Sequence, residues 1–564
     1  MSIIMRIETL LLYVSLALCL ITPIACFVIK TEVKKRMMSS ILFLIITSLL
    51  LVDLLLMFTY QLQSDFRFQY VYSHTSIDLK GIYKISALWS GQEGSFLLWS
   101  VIMAIMGIVV TRIKMNEIGK VTALYSVICG VVLILTVKSN PFQMTGMEVS
   151  DGLGLNDALQ SPWMVVHPPL VFIGYSAMAV LLSFAIAINN NEKCINNLNY
   201  IIKKWVRISF VFLGVGIFTG SIWAYTALGW GGYWSWDPIE NAALVPLLIL
   251  GAYLYGKNKL SRMECIIPFI LAGFGTFLTR SGILTNKSVH AYAGGEDSVL
   301  TFIIFGAFIL LVITVVTFNI TAKRKENKLI NTDALSKHMG WFRMITYVYA
   351  AFIFIGTIFP LLTSITITTG YYNYLSVAFV IIMVLLILKY HLKSLLKDFM
   401  LICILNTILL ILILFVIGVE SIWLFLLWLV FLPIWILGAR LKIKNLHNTI
   451  SHIALIFLFV GAIASSTLSE NKVVVADITD GYICIANHSI SLNQLQNQEC
   501  LILSSIRQDI ILNNSNISSI DEKTELISYT TKPLIILFWI GGFLLIASVA
   551  FGLLDFKKTK AKTT

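Results

Sequence analysis

The stretch 399-FMLICILNTILLILILFVIG-418 runs for twenty residues without a charged side chain. At 1.5 Å per residue such a run spans the roughly 30 Å of a bilayer's hydrocarbon, where each backbone polar group must be paired within its own segment; it therefore reads as a transmembrane helix. Working outward, about fifteen runs of this kind follow one another. They lie near 8–30, 40–60, 93–111, 121–138, 168–189, 205–226, 240–256, 263–281, 299–319, 343–364, 373–391, 399–418, 420–439, 449–468 and 533–555. Apolar residues make up 58% of the 564 positions and charged residues 12%, and the mean hydropathy is +0.86. That is too little charge to cover a soluble protein of this size. The fold class is an all-α polytopic membrane protein. The first run has no basic leader and no small-residue cleavage site, so it is read as a retained span.

The net charge of +12 has a topological explanation. With the N-terminus outside, the inner links hold 30 of the 41 Lys and Arg residues, in clusters such as Lys34–Lys35–Arg36, Lys323–Arg324–Lys325 and Lys557–Lys558. Positive charge gathers on the cytoplasmic side, which predicts an N-out, C-in topology and leaves no need for a nucleic-acid partner. The segment 469–532 is polar, with alternating stretches such as 472-KVVVADI-478, and is expected to form a small β-rich outer insert. The expected organisation is a membrane helical domain at 1–468, the insert at 469–532, and a final helix with a basic tail at 533–564. The eight cysteines form no CxxC, CxxCH or zinc spacing. Cys484 and Cys500 share the outer insert, where a disulfide is one outcome and two free thiols the other.

The chemistry gathers in 228-LGWGGYWSWDPIENAALVP-246. Trp230, Trp234 and Trp236 share one short outer loop with Gly231, Gly232 and Asp237. An interfacial aromatic belt is one reading of three tryptophans. A belt requires neither paired glycines nor carboxylates at the same depth, and flat indoles beside an open backbone equally make a platform for a flat apolar ligand. Asp237 and Glu240 also suit the start of the next helix. His167 and His290 lie on the same outer side, where each is either a structural residue or a ligand to haem iron. Arg280, at the outer end of a span, either snorkels to the interface or meets an anionic group. Glu93 is either a helix cap or part of the site, and His74 is read as a hydrogen-bonding residue of the first outer loop. Asp53 is the main acidic residue at mid-span depth, thin support for a proton-translocating role.

The loop resembles the WGxxWxWD signature of haem-handling membrane proteins. The resemblance continues through 86-SALWSGQEGSFLLW-99, 139-SNPF-142, 166-VHPPLVFIGY-175, 277-FLTRSG-282, 288-SVHAYA-293, 355-IGTIFPLL-362 and 447-HNTISHIALIFLFVGAIASS-466. Over roughly residues 60–560 the set is similar to the CcmF/NrfE type of cytochrome c maturation haem lyase subunit, rather than to the shorter CcmC type. The resemblance implies that His167 and His290 ligate a transiently held haem from its two faces. Trp230, Gly231, Gly232, Trp234, Trp236 and Asp237 would form the platform, and Arg280 would meet a haem propionate. Between Arg280 and His290 this chain is about two residues longer than the family's usual spacing. The resemblance also implies a resident haem b between two spans. His452 matches one ligand, but the position of the other, nine residues after Pro246, is Tyr255; His391 and His447 are the alternatives. The implied partners are a haem chaperone, a thioredoxin-like apocytochrome-presenting subunit, apocytochrome c and a quinol, in an energy-transducing membrane. A haem transporter or exporter, or a haem-docking subunit without lyase activity, is the alternative, although no inverted repeat is evident.

Overall fold

The computed structural model describes residues 6–187, 192–227, 232–254, 262–284, 334–363, 365, 367–392, 446–479, 482–485, 488–491, 500–505, 508–519 and 524–560. Among these are ten helices long and apolar enough to cross a membrane, together with two shorter apolar ones, Pro238–Leu254 and Ile450–Ser466. Each coincides with an expected span; the expected spans at 299–319, 399–418 and 420–439 lie outside the described residues.

Two compact units emerge. The first comprises Met1–Gly220, Trp236–Asp333 and Ile353–Thr357. It opens with α1 (Ile7–Val28) and α2 (Glu32–Leu62), continues through the short α3 (Gln69–His74) and α4 (Gly81–Ala87), and then α5 (Gln92–Thr111) and α6 (Ile118–Ser139). On α1 the buried residues Leu12, Ser15, Cys19, Thr22 and Cys26 recur every three or four positions, the stripe of a helix that hides one face. The opposite face leaves Leu20, Ile24 and Phe27 exposed, as a lipid-facing surface requires. Polar residues inside this bundle mostly bond to backbone oxygens. Tyr125 donates to the Met103 carbonyl at 3.0 Å and Ser126 to that of Cys19 at 2.8 Å, because an unpaired polar group in hydrocarbon is costly. α7 (Pro162–Ala187), α8 (Glu192–Ala227), α9 (Pro238–Leu254) and α10 (Arg262–Arg280) follow.

The second unit comprises Ser221–Ser235, Ala334–Phe352 and Ile358–Thr564. Within it α11 (Ala334–Leu362) meets α12 (Thr369–Leu392) through Tyr349 and Phe379, whose rings stack 4.0 Å apart. α13 (Leu446–Thr467) and α14 (Ile535–Lys560) pack glycine to backbone. A Cβ on Gly461 would collide with the backbone of Phe538, and one on Gly541 would lie 2.7 Å from the Ala454 carbonyl. Between these two helices the chain builds a six-stranded antiparallel sheet in the order β3-β2-β1-β6-β5-β4. Its strands are β1 (Glu470–Thr479), β2 (Tyr482–Ile485), β3 (His488–Ser491), β4 (Cys500–Ser504), β5 (Gln508–Ser519) and β6 (Thr524–Pro533). Its small core is Ile490, Ile510, Leu512 and Ile527.

The sheet bears on the cysteine pair. Cys484 lies on β2 and Cys500 on β4, with β1, β6 and β5 between them. Neighbouring strands are about 4.8 Å apart and a disulfide needs Cα atoms within about 7 Å. The strand order therefore disfavours that bond.

Candidate functional site

The tryptophan loop is described from Gly232 onward; Trp230 and Gly231 lie outside the described residues. Its exit is a capping box. The Asp237 carboxylate accepts from the Ile239 amide at 2.7 Å, and the Glu240 carboxylate accepts from the Asp237 amide at 3.2 Å. Pro238 occupies the first helical position, where its missing N–H costs nothing. The local sequence DPIE thus fixes the start of α9. The carboxylate of Asp237 thus caps α9, at 9% exposure. Immediately before it, Trp236 has φ +59°, left-handed backbone that a bulky residue rarely adopts. Asn241, on the first turn of α9, donates from Nδ2 to the Trp236 carbonyl at 3.1 Å and holds that strained turn. Among the described residues, a Cβ on Gly232 would find only the Trp234 carbonyl, at 3.8 Å.

His167 sits on α7. That helix begins at Pro162, six residues before the span expected at 168–189. Ser161 explains the earlier start: its hydroxyl accepts from the Trp163 amide at 3.3 Å, and Pro162 takes the first helical position. Pro168 and Pro169 then lie inside the helix. His167 Nδ1 is 2.6 Å from the Gly216 carbonyl on α8. A carbonyl can only accept, so Nδ1 carries the proton and Nε2 carries the lone pair, the arrangement in which imidazole binds iron. Its ring occupies the space where a Cβ on Gly220 would stand, 2.7 Å away. Gly220 thus makes room for this ring, while Gly216, one helical turn earlier, supplies the carbonyl and lets α8 approach Val171 of α7.

Arg280 ends α10 and does not snorkel. It is 8% exposed, donates from a terminal nitrogen to the Ser95 hydroxyl at 2.8 Å, and lies 4.3 Å over the Phe96 ring. It is anchored on the first turn of α5, the part of the chain that carries the GQEGS motif. That motif is itself shaped by a feature the sequence did not reveal. His74 stacks on Tyr70 at 4.4 Å and donates from Nδ1 to the Tyr70 carbonyl. The Tyr70 hydroxyl donates to the Ala87 carbonyl at 2.9 Å and accepts from the Gly91 amide at 3.0 Å. A Cβ on Gly91 would lie 2.6 Å from the His74 ring, so that glycine is a packing requirement. Burial lowers the His74 pKa, partly offset by its bond to Tyr70 and by the nearby Glu93. Glu93 falls in the first turn of α5, where a carboxylate suits the helix dipole.

His452 lies half-buried on α13, beside Ser451, whose hydroxyl meets that of Ser548 at 2.7 Å. His290 and Tyr255 lie outside the described residues, as do the side chains of His391 and His447. Among the described residues no three His, Cys, Asp or Glu side chains converge as a metal site.

Comparison with known proteins sets this geometry in a family. Residues 89–286, which span the WSGQEGS motif, His167, the tryptophan loop and Arg280, match the model of the cytochrome C assembly protein family. The chain is 36% identical over 267 residues to the cytochrome c-type biogenesis protein CcmF of Pseudomonas aeruginosa, covering 45% of this chain and 40% of that one. It is 30% identical over 359 residues to NrfE of Haemophilus influenzae, covering 59% and 55%. Over these stretches the chain is similar to cytochrome c biogenesis proteins of the CcmF and NrfE type. The matched stretch spans about half the length of these curated relatives. A solved structure named cytochrome c heme lyase CcmF superposes with a TM-score of 0.73 over 98% of each chain, at 17% identity. The two chains share a fold.

Proposed function

We propose that this protein is the haem lyase subunit of a cytochrome c maturation system, receiving haem at the outer face of an energy-transducing membrane. It attaches that haem to the CxxCH motif of an apocytochrome c. The observation that carries the reading is the fixed tautomer of His167, whose Nδ1 is occupied by the Gly216 carbonyl at 2.6 Å. Such a histidine presents Nε2 as a pre-oriented ligand. With His290 as the opposite ligand, the iron would be held from both faces. Trp230, Trp234 and Trp236 would flank the ring, with Gly231 and Gly232 leaving it room, and Arg280 would face a propionate.

The chain itself supplies no nucleophile. Each substrate thiol adds across one haem vinyl group: sulfur bonds to the carbon next to the ring, and the thiol hydrogen ends on the terminal carbon. The atoms balance without net oxidation. The contribution of this protein is to hold vinyl and thiol in register. A haem chaperone delivers the haem and a thioredoxin-like subunit presents the apocytochrome. A resident haem b, ligated by His452 and Tyr255 and served by quinol, belongs to the same proposal.

Visible spectra of the purified protein, with and without added haem, test the reading. Wild type is expected to show low-spin haem at the outer site. His167→Ala is expected to lose that signal and to abolish holocytochrome formation, with partial rescue by free imidazole. Normal maturation by a His167→Ala, His290→Ala double variant would refute the ligand assignment, and haem export without thioether formation would favour the transporter reading.

A further inference from the structure

The leading half of the tryptophan loop is fastened to a part of the chain almost three hundred residues away. Tyr225, in the last turn of α8, is 4% exposed; its hydroxyl donates to Asp509 Oδ2 at 2.9 Å. Asp509 is itself 5% exposed and is the second residue of β5, so the bond ties the end of a membrane helix to the outer sheet. The Tyr225 ring meets Trp539 on α14 edge-on at 5.5 Å.

Past Trp230 in sequence, Tyr233 repeats the arrangement. Its ring lies 4.0 Å from Phe538 and 6.2 Å from Trp539, and its hydroxyl donates to the Ala462 carbonyl at 3.3 Å. Burial pushes the Tyr233 phenol up to about 12, with a Ser465 hydrogen bond pulling the other way, so it stays a donor at any physiological pH. Gly461 lets the Phe538 backbone come against α13. Tyr225 and Tyr233 are thus both held by the C-terminal hairpin and its sheet, and Trp234 follows Tyr233 directly.

We propose that Tyr225, Asp509 and Tyr233 are positioning residues that set the tryptophan loop from the C-terminal hairpin and its sheet, so that the outer insert is energetically coupled to haem at that loop. The coupling rests on the haem reading given above; the clamping does not. A buried hydroxyl–carboxyl bond whose partners sit on two elements is a strong constraint. Removing the Tyr225 hydroxyl withdraws one donor from a buried carboxylate that keeps its bonds to Ser504 and Ser505, and removing the carboxylate takes this acceptor from a buried hydroxyl.

Two readouts on the full chain in detergent test this: amide exchange over residues 226–241, and haem titration. Tyr225→Phe keeps the ring against Trp539 but removes the donor, and Asp509→Leu removes the acceptor. Each is expected to speed loop exchange and weaken haem binding by about tenfold, the scale of one lost buried hydrogen bond. Each is also expected to shift the haem absorption band, which a general loss of stability would not do. Asp509→Asn keeps an acceptor oxygen and is expected to stay near wild type, and the Tyr225→Phe, Asp509→Leu pair to be no worse than either single change. Wild-type loop exchange in both Tyr225→Phe and Asp509→Leu would overturn the clamp. Faster loop exchange with unchanged haem affinity and absorption would overturn the coupling. A wild-type protein that takes up no haem at the loop would refute the haem reading, while the exchange data would still decide the clamp.

Discussion

Single side chains in this protein are placed by what a neighbouring glycine leaves open. His167 fits because residue 220 has no side chain, and His74 fits because residue 91 has none. The two histidines differ in purpose. His167 bonds the Gly216 carbonyl through Nδ1 and carries the proposed ligand role, whereas His74 is a wedge between Tyr70 and the start of α5. Its folded pKa lies below the ordinary value of about 6.5, chiefly through burial. The unfolded chain then binds more protons as pH falls, so the mount around Gly91 should weaken as pH drops below about 6.5 and hold above it. Amide exchange at Gly91 and Ser95, corrected for its intrinsic pH dependence, should show that loss in wild type. His74→Phe, which keeps a ring on Tyr70 but cannot titrate, should flatten it. An identical pH dependence in the variant would remove His74 as the cause.

At the scale of elements, the helices differ in what sets their ends and faces. The start of α9 could be read from DPIE alone, because a capping box is written in four consecutive residues. The start of α7 lies six residues before the expected span at 168–189, because the Ser161–Pro162 start signal stands upstream of the apolar run. The close pairing of α13 with α14 had no sequence signature, since Gly461 and Gly541 are more than seventy residues apart. In hydrocarbon, small residues give neighbouring helices the close approach that drives their association. Gly541→Val would push branched carbons into the Leu458 backbone and the Ala454 carbonyl. It should cost about 1–3 kcal/mol, as overpacking does, read as a lower thermal midpoint in detergent. Val at Gly340, where a Cβ meets nothing within 4 Å, should change the midpoint little. Equal midpoints for the two variants would show that the hairpin tolerates separation.

Across the whole molecule, composition and span periodicity carried the architecture. Hydrocarbon permits few structures, and each span announces itself locally. The tryptophan loop was legible for the same reason, its pattern being contiguous. What escaped the sequence is long-range: the Tyr225–Asp509 bond, the Tyr70–His74–Gly91 mount, and the seat of Arg280 on α5, each joining residues whose separation carries no pattern. The orientation remains the largest inference drawn from charge alone. With 30 of 41 Lys and Arg residues in alternate links, the N-out, C-in arrangement follows from the preference of positive loops for the cytoplasm. The proposed haem attachment requires the tryptophan loop to lie outside the cytoplasm. Reporter fusions near residues 150, 290 and 500 should therefore be active only outside, and fusions near 200, 330 and 560 only inside. The decisive fusion is the one in the loop at 227–240. A cytoplasmic signal there would put Trp234 and the capping box of α9 on the wrong side for an exported apocytochrome. The lyase reading would then fail, whereas the clamp between that loop and the sheet, both having changed sides together, would stand.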